Sequence, residues 1–166
     1  MRKLAFAFLP ILSLGICNAQ SAPGKPAEPT AIGVVFRLDP SNQALQRLPN
    51  EDWKPAGPSM GNNVIYAVVP GSKSSFRVKA GEKAEFVFNS GRPETVSLYR
   101  FELKKDKRRF GYERVGMVRG DYLKGLHVDI SKYGESSYKL VPASPLDPGE
   151  YAIIIGDEVF TFGIDQ

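Results

Sequence analysis

The chain has 166 residues, 42% of them apolar, with 22 basic and 18 acidic residues and a single cysteine. That apolar content excludes a disordered polymer, the scattered Gly and Pro exclude a collagen-like or low-complexity chain, and one cysteine excludes a disulfide scaffold. A formal charge of +4 is modest for a nucleic-acid binder, and the length suits one domain with its own core.

Met1-Arg2-Lys3 is a basic start, residues 4–16 are a short apolar run broken by Pro10, and Cys17-Asn18-Ala19 is a small-x-small cleavage site. This pattern predicts a signal peptide over residues 1–19 and a periplasmic or secreted product beginning at Gln20. A membrane anchor is the alternative, but the run is short for a span, so no transmembrane segment is expected after cleavage. Lipidation at Cys17 is a second alternative, though Ile16 stands where lipoprotein signals carry a small residue. Cleavage after Ala19 removes the only cysteine and lowers the charge from +4 to +2, because Arg2 and Lys3 leave with it. Residues 20–30, with Pro23, Pro26 and Pro29, read as a flexible tether.

From residue 31 the pattern is short strands divided by turn formers. Residues 31–38 read as a strand, Asp39-Pro40-Ser41-Asn42 as a turn, and residues 43–48 as a returning partner. Residues 50–61 read as a loop carrying the only Trp, Trp53, and residues 64–69 as a strand stopped by Pro70-Gly71. Phe76 and Val78 alternate with Arg77 and Lys79, then Ala84, Phe86 and Phe88 with Glu85 and Val87. Residues 95–103 read as one long strand, 104–107 as a charged tip, and 108–118 as the return. Shorter strands follow at 126–130 and 137–141. The last two, 151–155 and 158–164, are joined by Gly156-Asp157, where Gly suits the first position of a type II′ turn. That register sets Tyr151 opposite Phe162 and Ile153 opposite Phe160 on one apolar face, with Ile154 and Val159 on the other, so this hairpin is expected to be covered on both sides. No stretch sustains a helical period. The fold class is all-β, most simply a sandwich.

Leu146-Asp147-Pro148-Gly149-Glu150-Tyr151 resembles the L-x-P-G-x-Y corner before the penultimate strand of many immunoglobulin-like sandwiches. Residues 76–88, with the Ala80-Gly81-Glu82 turn, resemble the opening strands of bacterial immunoglobulin-like modules, and the closing pattern is similar to that of secreted proteins of environmental bacteria. The resemblance implies a single domain over 31–166, with an immunoglobulin-like core at 74–166 and an added N-terminal hairpin and strand at 31–69. It also implies a structural corner of Leu146, Pro148, Gly149, Tyr151 and Phe162, the Tyr151 hydroxyl reaching backbone within residues 142–147. It carries no activity with it.

Candidate chemistry is sparse. His127, Asp129 and Ser131 alternate on one strand and share a face, yet same-face neighbours are about 7 Å apart at Cα and do not make a Ser–His–Asp relay unaided; Val128 and Ile130 facing inward account for the pattern. One His and no retained Cys give no metal set, and Asn50, Glu51 and Asp52 offer few oxygens for calcium. No cofactor motif is present. Between Arg92 and Lys124 ten basic residues stand against five acidic, the densest run being Lys104, Lys105, Lys107, Arg108 and Arg109. Such a run either keeps a hairpin edge from pairing or docks an anionic polymer such as lipopolysaccharide phosphate or an acidic glycan. Trp53, with Tyr66, Tyr99, Tyr112 and Tyr122, either packs the sandwich or offers flat platforms for sugar. The sequence-level expectation is an exported, non-enzymatic β-sandwich for binding or assembly in the cell envelope, its partner an envelope glycan or another envelope protein. A carbohydrate- or anionic-polymer-binding module using Trp53 and the basic hairpin is the second reading, and a hydrolase the third.

Overall fold

The computed structural model describes residues 27–58, 63–114 and 121–166; the segment expected to be a signal peptide lies outside them. In chain order the strands are β1 (Val35–Leu38), β2 (Leu45–Arg47), β3 (Lys54–Ala56), β4 (Val64–Pro70), β5 (Arg77–Val78), β6 (Phe86–Asn89) and β7 (Ser97–Arg100). There follow β8 (Glu102–Lys104), β9 (Lys107–Arg114), β10 (Asp121–Tyr122), β11 (Val128–Lys132), β12 (Ser137–Pro142), β13 (Gly149–Ile155) and β14 (Glu158–Ile164). The protein is an all-β sandwich, and one 3₁₀ turn at Pro93–Thr95 is the only helical piece among the described residues.

Three sheets stack. The first has the order β11-β12-β6-β1-β2, the middle β5-β14-β13-β7, and the outer β10-β9-β4-β3 with β8 added on β9. Named strand pairs are antiparallel except β14 with β5. The β13–β14 hairpin has the register its two-residue link demands, Tyr151 opposite Phe162, Ile153 opposite Phe160 and Ile155 opposite Glu158, with Gly156 at φ 60° in the turn. Alternation then divides its side chains between two cores. Tyr151, Ile153, Phe160 and Phe162 face the first sheet and pack with Phe86, Phe88, Leu140 and Val35. Ala152 and Val159 face the outer sheet and pack with Ala67, Val69, Phe101 and Phe110. Each large apolar side chain buried this way contributes about 1.5–3 kcal/mol of transfer free energy.

Several boundaries differ from the sequence pattern. Residues 27–30, expected in the tether, belong to the fold: Pro29 is buried, and the Glu28 carboxylate accepts hydrogen bonds from the backbone N–H groups of Glu135 (2.9 Å) and Ser136 (3.0 Å). The expected loop at 50–61 contains β3, whose Lys-Pro-Ala carries no apolar alternation and is extended because β4 pairs with it. The expected long strand at 95–103 is two strands. It breaks at Phe101, where the chain leaves the middle sheet as β7 and enters the outer one as β8. Residues 31–69 are likewise shared out: β1 and β2 extend the first sheet from the edge of β6, while β3 and β4 build the outer sheet with β9.

At the corner, the Tyr151 hydroxyl donates to the Asp147 carbonyl at 2.7 Å, and its ring stacks on Phe162 at 5.4 Å between centroids. Leu146 packs against the first core. The Arg100 guanidinium donates to the Pro148 carbonyl at 3.0 Å and lies 3.3 Å from where a Cβ on Gly149 would stand, so a larger residue there requires the Arg100 side chain to shift.

Candidate functional site

Strand alternation gives the outer sheet two unlike faces. On β4, Ala67 and Val69 point into the second core, leaving Tyr66, Val68 and Pro70 on the outward face. Cross-strand register sets cations on both sides of this apolar stripe. Val68 lies between Lys54 of β3 and Arg109 of β9, Pro70 lies beside Lys107, and Lys107 in turn pairs with Lys104 of β8. The β8–β9 tip, turning through Lys105 and Asp106, walls one side, and the result is a cleft of about 610 Å³. Five cations (Lys54, Lys104, Lys105, Lys107, Arg109) line it against two carboxylates, Asp52 and Asp106.

The cations are not equivalent. Arg109 donates to Glu102 through Nε (3.1 Å) and Nη2 (2.9 Å) and covers the Tyr66 ring at 4.3 Å, so it is fixed and largely neutralised. Lys54, Lys104, Lys105 and Lys107 are exposed and form no ion pair among the described residues. Four long amines around an apolar floor attract an anion and leave it free to settle against the stripe.

Arg108 corrects the expectation of a continuous surface run. It faces inward with Phe110 and is 1% exposed. Its Nη2 meets Glu51 Oε2 at 2.5 Å and the Pro70 carbonyl at 2.9 Å, and its Nε donates to the Gly71 carbonyl at 3.0 Å. Glu51 also takes the Thr161 hydroxyl, and Thr161 shares a hydrogen bond with Ser74 at 2.8 Å. Ser74 N–H donates to Glu150 at 2.7 Å, and Glu150 holds Arg77 at 2.5 Å. Arg77 crosses Gly163 so closely that a Cβ there would overlap its guanidinium. This chain of polar groups is satisfied internally, and Arg108 fixes the end of β4.

Trp53 is corrected in the same way. Its ring packs on the second core edge-to-face with Tyr112 at 5.6 Å, and its Nε1–H donates to the Asp157 carbonyl at 2.8 Å. It does not line the cleft, so it offers no platform for sugar there. Tyr99 is stacked on Phe110 at 4.6 Å, and burial pushes its phenol pKa up. The Tyr122 side chain lies outside the described residues. Asn50 binds Glu158, Glu51 turns inward and Asp52 faces the cleft, so the three do not converge on one cation. Asp129 and Ser131 are exposed on edge strand β11 and His127 is exposed just before it, while Val128 and Ile130 pack on the first core. No three His, Cys, Asp or Glu side chains come together as a metal set among the described residues.

The chain matches no family model, no curated protein and no solved structure.

A larger hollow, about 820 Å³, opens beside the corner, but most of its charges are spent on one another, and Lys73 is the one lysine among its lining residues. Arg77 pairs with Glu150 and with Asp165 (2.8 Å), and Arg100 lies 3.5 Å from Asp147. Unpaired cations favour the outer-sheet cleft as the site despite its smaller volume. Lys54 and the Val68–Pro70 floor were not visible in the sequence, because only the pairing of β3 with β4 brings them to the basic hairpin.

Proposed function

We propose that this is an exported, non-enzymatic binding protein of the cell envelope, and that it holds an anionic polymer against the outward face of the outer sheet. The observation that carries this reading is the set of four unpaired lysines flanking an apolar cleft on both sides. A strand edge needs only a charge or two to resist pairing. Lys54 stands on the far side of the sheet from the β8–β9 tip, where edge protection of that tip gives it no role. We also read the core as immunoglobulin-like. In support, β11-β12-β6 and β14-β13-β7 follow the D-E-B and G-F-C strand orders of that family, and Tyr151 bonds backbone four residues upstream at the start of β13.

The test is binding of the purified protein to immobilised envelope polymer at low and high salt, with Lys105 and Lys107 both changed to Ser. Arg108 is left alone, since altering it disturbs the core. Weaker binding with a flatter salt dependence is expected. Binding that is unaltered in low salt removes this surface from the function.

A further inference from the structure

Resting on the role proposed above for this face, we infer that its ligand is a ribbon-like acidic polysaccharide, a polyuronate in chemical class, lying lengthwise along β4 with carboxylates reaching both flanks. Val68 and Pro70 stand two residues apart, so the open apolar stripe advances by about 7 Å along the strand, and Tyr66 continues it beneath Arg109. Its flanks are one strand away on either side, which separates the backbones of β3 and β9 by about 10 Å. Lys54 stands on one flank, Lys107 and Lys104 on the other. A ribbon polysaccharide has the complementary form, with flat C–H faces above and below and carboxylates projecting from its two edges.

Other anions fit less well. A compact phosphate is best held by convergent donors, such as an arginine fork or a cluster of backbone N–H groups. Here the free lysines are spread over β3, β8, β9 and the turn between the last two, and the one arginine on the face is committed to Glu102. Asp52 and Asp106 interrupt that set, which opposes a rod charged at every position, such as polyphosphate. A neutral sugar asks for an open aromatic face, but Arg109 covers Tyr66 and Trp53 points the other way. Charge at the edges and aliphatic contact at the centre are what the face offers.

Calorimetric titration with β-1,4-linked mannuronate oligomers of increasing length tests this. Pyrophosphate, polyphosphate and a neutral β-linked glucan oligomer serve as comparison ligands. Affinity should rise with oligomer length and exceed that for all three comparison ligands. Lys54→Ser and the pair Lys104→Ser/Lys107→Ser should each weaken binding, by about 2–5-fold per lysine, the range of an exposed ion pair. If Lys54→Ser binds like the parent while the Lys104/Lys107 pair loses affinity, the ligand touches only the hairpin tip; the lengthwise pose is then wrong and the binding function stands. Tighter binding of either phosphate probe overturns the polyuronate assignment in the same limited way. If neither uronate oligomers, phosphate probes nor envelope polymer bind, the inference and the proposed function fall together.

Discussion

Tyr151 joins three environments in one side chain: its ring lies on Phe162, its hydroxyl reaches the Asp147 carbonyl, and burial pushes its phenol pKa above the ordinary value. Tyr151→Phe keeps the ring and removes the hydrogen bond, so it should cost about 1 kcal/mol in a denaturant melt. Tyr151→Ala also opens a cavity and should cost about 3–5 kcal/mol. The raised pKa has a sign as well. Between the unfolded and folded pKa values the unfolded chain has lost a proton that the folded one keeps, so stability is full below the unfolded value, near 10, and falls as pH rises through the window above it. Tyr151→Phe should therefore lose less stability than the parent on going from neutral to alkaline pH; an identical slope would show that Tyr151 does not titrate there. Arg108 is the contrasting residue. Truncation to Ala strands Glu51 beside Thr161 and should cost about 3–5 kcal/mol, whereas Lys105→Ser, at an exposed tip, should stay within about 0.5 kcal/mol. The sequence held the signal for this difference. Phe110 must face inward, and Arg108, two residues before it on the same strand, shares its side; the density of charge at 104–109 obscured that parity.

At the level of elements, the β13–β14 hairpin was legible because a two-residue link leaves a single register, and apolar residues on both faces require cover on both. Gly156 stands at φ 60°, where an L side chain is strained, so Gly156→Ala should destabilise the protein by about 1–2 kcal/mol, measured by equilibrium unfolding. What stayed hidden depends on long-range pairing. Lys-Pro-Ala at β3 has no strand pattern of its own and becomes one beside β4. The exchange of sheets at Phe101 likewise follows from β7 pairing with β13 in the middle sheet while β8 follows β9 onto β4 in the outer one, which no local period announces. The candidate site suffered most from this. Its tip was visible as a run of lysines, but its floor and far wall come from strands that only the folded register assembles.

For the whole molecule, the layered arrangement and the leading segment bear on different questions. The tripartite pattern of residues 1–19 predicts that protein taken from its natural host begins at Gln20, which intact-mass measurement will decide. A lipid on Cys17 would instead place the protein at a membrane surface. Within the fold, the hairpin that comes last of the fourteen described strands supplies the two central strands of the middle sheet. Until it arrives, the first and outer sheets have only the short strands β5 and β7 between them, and neither core can close. Such non-local pairing makes folding slow, because chain entropy is lost well before contacts repay it. For the export proposed above, a polypeptide emerging in order would stay threadable until this hairpin had passed, and the order of the strands would act as a timer.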